Sequence, residues 1–160
     1  AEYELLPIAV DQGVGVHVWS PLAGGLLTGK YTRDKKPEGV TRMSEGWTEP
    51  PIRDEERLWN IVDAINEIAS HHNVSGAQVS LAWTLTRPGV SSIVIGGRNI
   101  DQIKDNIGAA SLELSEDEIN RLNEVSQIPL LYPYWHQAKF ARDTFNEGDK
   151  ALFGGRSLEK

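Results

Sequence analysis

Two glycine-rich turns carry the residue types best suited to holding a charged ligand. The first runs Trp19-Ser20-Pro21-Leu22-Ala23-Gly24-Gly25-Leu26-Leu27-Thr28-Gly29-Lys30-Tyr31, and the second Ile95-Gly96-Gly97-Arg98-Asn99. Each follows an apolar, β-branched run, and the second leads into a helical pattern. Glycine lets a backbone approach a ligand closely, exposed N–H groups attract phosphate, and a helix N-terminus adds partial positive charge. Gly24, Gly29 and Lys30 also match the spacing of a P-loop. Tyr31, however, stands where the magnesium-binding hydroxyl belongs, and residues 32–37 do not read as the helix such a loop enters.

The elements that must position these turns are legible from periodicity. Residues 2–12 place Leu5, Leu6, Ala9 and Val10 at helical spacing, with Gly13 set to close the helix. Residues 14–19 (VGVHVW) alternate as a strand, and residues 28–51 are polar, Gly- and Pro-bearing loop. From Asp54 to Asn73, Leu58, Ile61, Val62, Ile65, Ile68 and Ala69 share one helix face. Three capping boxes then predict helix starts: Ser75 with Gln78, Asn99 with Gln102, and Ser115 with Glu118. A short strand at residues 91–95 separates the first two. The tail from Gln127 reads as irregular, aromatic and proline-punctuated.

Strands alternating with helices imply a parallel sheet covered by helices. Two strands leave unpaired edges, and a complete (β/α)₈ barrel takes about 250 residues. The order therefore reads as an α/β chain, the C-terminal part of a TIM barrel, with barrel elements over 1–127 and a C-terminal loop or tail over 128–160. The opening, a core-facing helix with no cap ahead of it, reads as that of a fragment or processed chain.

Composition narrows the function classes. The 160 residues carry 16 Lys+Arg against 23 Asp+Glu, a net charge of −7, which argues against broad nucleic-acid binding. There is no cysteine, hence no disulfide, thiolate metal site or cysteine nucleophile. No apolar run approaches the length of a membrane span, and no signal peptide opens the sequence. A soluble cytoplasmic protein fits these limits.

The run V-W-S-P-L-A-G-G-L-L-T-G-K-Y, some 65 positions before S-S-I-V-I-G-G-R-N-I-D-Q-I-K-D-N-I-G-A, resembles the C-terminal half of the aldo-keto reductase family. The resemblance implies that the two strands are the seventh and eighth of the barrel. It implies NADPH as cofactor and an aldehyde or ketone as substrate, reduced to the alcohol by hydride transfer. Trp19 would stack on the nicotinamide, and Ser20, Pro21, Leu22, Gly24 and Leu26 would strap the pyrophosphate, with Lys30 nearby and Arg42 as a further phosphate contact. Gly96 and Arg98 would meet the adenosine ribose and its 2′-phosphate, and Gln102, Asp105 and Asn106 would approach the 2′-phosphate and adenine. Arg98 offers a planar fork of donors at a helix N-terminus, which suits a phosphate dianion and favours NADPH over NADH. The family has Glu-Asn where this chain has Asp105-Asn106, one methylene shorter.

The family's catalytic Asp, Tyr, Lys and His lie in its N-terminal half, before the first position of this sequence. Lys30, Tyr31 and His17 are not that tetrad. Hydride transfer is expected only when a complementary N-terminal segment is present, and the chain alone is expected to self-associate through its open strand edges. The resemblance extends to potassium-channel β subunits, so a non-catalytic NADPH-binding regulatory subunit is the alternative.

Several residues keep a second reading. Trp19 also reads as a barrel-core aromatic, Arg98 as a solvated loop arginine, and Asp105 as a helix acid paired with Arg98 or Lys104. The aromatic tail either lines a substrate pocket or seals the barrel edge. His71-His72 ends a helix, where histidine complements the dipole. With no carboxylate at ligand spacing along the sequence, no metal site is expected there. Asn73-Val74-Ser75 matches a glycosylation sequon, but Ser75 is better explained as a helix cap.

Overall fold

The computed structural model describes residues 1–34, 45–46 and 51–153. Arg42, one of the expected phosphate contacts, lies outside them. Helix α1 (Leu5–Asp11) comes first, followed by strand β1 (Val16–Val18), a 3₁₀ segment (Ala23–Thr28), α2 (Glu55–His72) and α3 (Gly76–Leu85). Strand β2 (Val90–Ile93) precedes α4 (Ile100–Gly108), α5 (Glu116–Ser126), α6 (Tyr134–Phe140) and α7 (Glu147–Phe153). The two strands pair in parallel in a two-stranded sheet. Both are shorter than the apolar runs that predict them, because a ladder forms only where the two runs overlap. None of the described helices is long and apolar enough to cross a membrane.

The helix ends follow local chemistry closely. Gly13 (φ 65°) closes α1: its N–H returns to the Val10 carbonyl and that of Val14 to Ala9. Asp54 caps α2 through Arg57 N–H at 3.0 Å, and Asn73 (φ 55°) ends it. Ser115 and Glu118 form the full reciprocal box at α5. The other two boxes are only half made. Ser75 Oγ accepts Gln78 N–H at 3.1 Å and Asn99 Oδ1 accepts Gln102 N–H at 2.9 Å, but both glutamine side chains are used elsewhere.

The chain forms two compact units. One holds Ala1–Val18, Thr86–Ser92 and the stretch from Ile128 onward. Its core is Leu6, Leu152 and Phe153, with Tyr3, Val16, Val90, Tyr134 and Phe145 around them. The tail is therefore not irregular. Helices α6 and α7, seven residues each, are too short to show an i, i+7 rhythm. α7 is opened by Asn146 and Asp149, each accepting the other's backbone N–H. Of the tail aromatics, Tyr134, Phe145 and Phe153 serve this core, whereas Tyr132, Trp135 and Phe140 remain exposed.

The other unit holds Trp19–Leu85 and Ile93–Gln127. Ala64, Ile65, Ile68 and Ala69 of α2 pack with Val79 of α3 and Leu122 of α5. Helix α3 is buried almost all round: Val79 and Leu81 are fully enclosed, and even Ser80 is covered. It contacts α2, α4 and the 3₁₀ segment, a central position that its weak amphipathic pattern does not announce.

Candidate functional site

Both glycine-rich turns fall in the second unit; the first rests on α3 and the second leads into α4, which packs on α3. Trp19 stands where β1 ends and is 72% exposed. Its ring is thus open to stacking rather than packed as a core aromatic. Beyond it, Ser20 (φ 55°) and Ala23 (φ 48°) adopt left-handed backbone, as do Gly24 and Gly25. Left-handed non-glycine residues persist only where surroundings hold them, and they concentrate at ligand-binding segments. The turn is held by Ala23 N–H to the Ser20 carbonyl at 3.1 Å, Gly25 N–H to Leu22 at 2.9 Å, and the Thr28 hydroxyl to Gly25 at 2.7 Å. Leu26 is buried beneath it, with Pro21 and Leu22 half-buried.

Lys30 folds back over this turn. Its Nζ lies 3.4 Å from the position a Cβ on Gly25 would take, and 5.7 Å from the centre of the Tyr31 ring. A bare glycine here leaves room for the ammonium beside the backbone. Arg33, three residues on, is committed elsewhere. Its guanidinium grips Glu56 at 2.9 and 3.0 Å, Asn60 at 2.7 Å and Asp63 at 3.1 Å. The hydrogen bonds it donates to Glu56 first, then to Asp63, push its pKa further up, and in return hold the Glu56 carboxyl below its usual range. Arg33 fixes the loop to α2, and Lys30 is the cation placed at the turn.

The second turn is shaped by its own helix. Gln102 Oε1 accepts Arg98 N–H at 2.8 Å, and Asn106 Nδ2 donates to the Gly96 carbonyl at 3.1 Å. Gln102 and Asn106 therefore set the backbone of the Gly96–Arg98 loop, and Asn106 is buried while doing so. The Arg98 guanidinium projects from the start of α4, 55% exposed, with Glu45 at 3.7 Å. An ion pair that exposed and that long contributes little.

Asp105 faces α3 instead. Ser75 Oγ donates to Asp105 Oδ2 at 2.6 Å, and Gln78 Nε2 donates to Oδ1 at 2.7 Å. Both oxygens are thus engaged from α3, in place of the pairing with Arg98 or Lys104 that an exposed helix acid would make. The same turn of α3 also meets the first loop. The Ser80 hydroxyl donates to the Leu27 carbonyl at 2.6 Å, and a Cβ on Gly76 would fall 2.9 Å from Gly29 Cα. Sequence reasoning finds Ser75 and Gln78 as a cap; it misses them as the brace joining the two turns, because Asp105 lies 30 and 27 positions away. Asp105→Ala is expected to destabilise the fold by about 1–2 kcal/mol through the two part-buried donors it strands, measured by urea unfolding.

These residues present one cation beside a left-handed turn, a second at a helix N-terminus, and an open aromatic ring. The arrangement suits an elongated anionic ligand with a flat ring at one end.

A model of the aldo/keto reductase family matches residues 1–127. The chain is 32% identical over 129 residues to an uncharacterised oxidoreductase, YrpG, of Bacillus subtilis (strain 168), covering 81% of this chain and 37% of that protein. It is 30% identical to the NADH-specific methylglyoxal reductase of Escherichia coli (strain K12), covering 79% and 38% respectively. It is 34% identical to a putative voltage-gated potassium channel subunit beta of Schizosaccharomyces pombe, covering 78% and 37%. The chain thus spans under two fifths of the length of each of these relatives.

Proposed function

The chain belongs to the aldo/keto reductase family, and from that premise we propose that it holds NADPH for a reductase of aldehydes or ketones. The observation that carries this reading is that α3 supports both cationic turns, the first by direct contact with Gly29 and Leu27 and the second through α4, which Asp105 ties to Ser75 and Gln78. Lys30 sits on the first turn and Arg98 on the second.

Trp19 offers its exposed face to the nicotinamide. The backbone of Ser20, Pro21, Leu22, Gly24 and Leu26 lines the pyrophosphate, and Lys30 neutralises it at the turn. Arg98 takes the 2′-phosphate with Gly96 beside the ribose, while Gln102 and Asn106 hold the loop's shape. Asp105 is a positioning residue, because its oxygens are spent on Ser75 and Gln78. Bound NADPH supplies a hydride to the carbonyl carbon. In this reading the proton donor for the resulting alkoxide comes from a complementary segment, because Tyr31 belongs to the cofactor turn and is buried, and His17 is engaged with Ser92 at 2.6 Å. The carbonyl substrate is small, and a complementary segment carrying the donor completes the site.

The test is calorimetric titration of the chain with NADPH and with NADH. One equivalent of NADPH, bound at least about tenfold tighter than NADH, is the expected result. Absence of saturable binding to either, or equal affinity for both, overturns the reading. A regulatory role is the second reading, favoured by similarity to channel β subunits. It predicts the same NADPH binding with no aldehyde turnover by the complete protein, and co-purification with a membrane channel.

A further inference from the structure

Helix α2 ends in two adjacent histidines, and adjacent residues of a continuing helix point about 100° apart. Here the helix stops. Asn73 turns left-handed and Val74 N–H returns to the Ala69 carbonyl at 3.0 Å, and the two histidine side chains, both still within α2, turn toward one neighbour on α5. The two rings lie 5.0 Å apart, centre to centre. His71 Nδ1 stands 3.1 Å and His72 Nε2 2.8 Å from one and the same atom, Glu118 Oε1. The other carboxylate oxygen is fixed by the Ser115 N–H at 2.8 Å and the Ser115 hydroxyl at 3.0 Å. The capping box of α5 thus aims Oε1 at the end of α2.

We infer that His71, His72 and Glu118 form a binding site for a divalent cation of the zinc type, which clamps the end of α2 to the first turn of α5. The three ligand atoms lie within 4.8 Å of one another. Around tetrahedral zinc such atoms stand about 3.3 Å apart, a spacing that small ring rotations reach from this arrangement. Two imidazoles and one carboxylate form a borderline donor set, suited to Zn²⁺ and its neighbours and not to Mg²⁺ or Ca²⁺, which want oxygen throughout. Water completes the fourth position, since the His71 side chain is 77% exposed. Glu118 and His72 are 13% and 24% exposed, so two of the three ligands are held by the fold.

Sequence spacing gives no sign of this carboxylate, because Glu118 arrives from 46 positions away. This site is independent of the dinucleotide reading and shares no residue with it.

The experiment is titration of the chelator-treated full chain with ZnCl₂ against a competing chromophoric chelator, with CoCl₂ and MgCl₂ run in parallel. One Zn²⁺ per chain is expected with a dissociation constant below about 100 µM. Visible Co²⁺ absorption of tetrahedral type is expected as well, and no Mg²⁺ binding. His72→Ala and Glu118→Gln should each weaken Zn²⁺ at least about tenfold. Glutamine keeps the capping box, so Glu118→Gln separates loss of a ligand from loss of fold, with circular dichroism as the check. No saturable Zn²⁺ binding below that concentration overturns the proposal. So does unchanged affinity in both folded variants, which would move the ion to His17 or His136.

Discussion

Arg98→Ala is expected to weaken NADPH binding by about 1.5–3 kcal/mol, roughly 10- to 150-fold, and to leave NADH nearly untouched. The magnitude is that of a hydrogen bond to a charged group when one partner is removed. The selectivity follows from geometry: the guanidinium leaves the start of α4, where backbone N–H groups and the helix dipole also favour an anion. Its carboxylate neighbour, Glu45, stands at 3.7 Å. In the wild type the phosphate dianion exchanges for that loose partner at little cost, and the alanine variant has nothing to exchange. Arg98→Lys should recover part of the loss, because charge remains while the bidentate fork does not. Calorimetric titration of both cofactors against both variants decides it. Equal losses for NADPH and NADH remove Arg98 from the 2′-phosphate and return it to the solvated loop.

The contrast between Arg98 and Asp105 shows what the sequence carries. Gln102, Asp105 and Asn106 fall on one face of α4 by spacing alone, and three polar residues beside a glycine turn invite a common ligand. The fold divides them. Gln102 and Asn106 turn to the Gly96–Arg98 backbone, while Asp105 meets Ser75 and Gln78 on α3. Periodicity fixes which face a residue occupies and cannot say which neighbour that face meets. Caps are local, so Gly13 and Ser115 act as their spacing predicts. Long-range polar pairs are not local, and Glu118 against His71 and His72 is invisible until α2 packs on α5. The tail helices α6 and α7 escape for another reason. Two turns of helix hold too few apolar residues to establish a period, and the Asn146–Asp149 box at α7 lacks the Ser/Thr–Glu form that marks the others.

Gly29→Ala is expected to destabilise the fold by about 2–5 kcal/mol, and two independent costs make up that figure. The residue sits at φ 81°, where an L side chain costs about 1–2 kcal/mol. Its Cβ would also stand 2.6 Å from Asn66 Oδ1 and 3.3 Å from Gly76 Cα, an overpacking worth about 1–3 kcal/mol more. Gly13→Ala separates the two costs. Gly13 has φ 65° and no atom within 4 Å of the added Cβ, so it should lose only the conformational part, about 1–2 kcal/mol. Urea unfolding of both variants measures the difference, which belongs to the contact between Gly29 and Gly76. That contact is where the first turn rests on α3, the helix that also braces α4 through Asp105. Moving Gly29 away from Gly76 displaces Lys30, the next residue, from its place over Gly25. NADPH affinity should therefore fall in Gly29→Ala under conditions where the protein is still folded, and stay unchanged in Gly13→Ala. Equal destabilisation by the two substitutions, with equal cofactor affinity, would show that the first turn needs no support from α3 and that each turn keeps its shape alone.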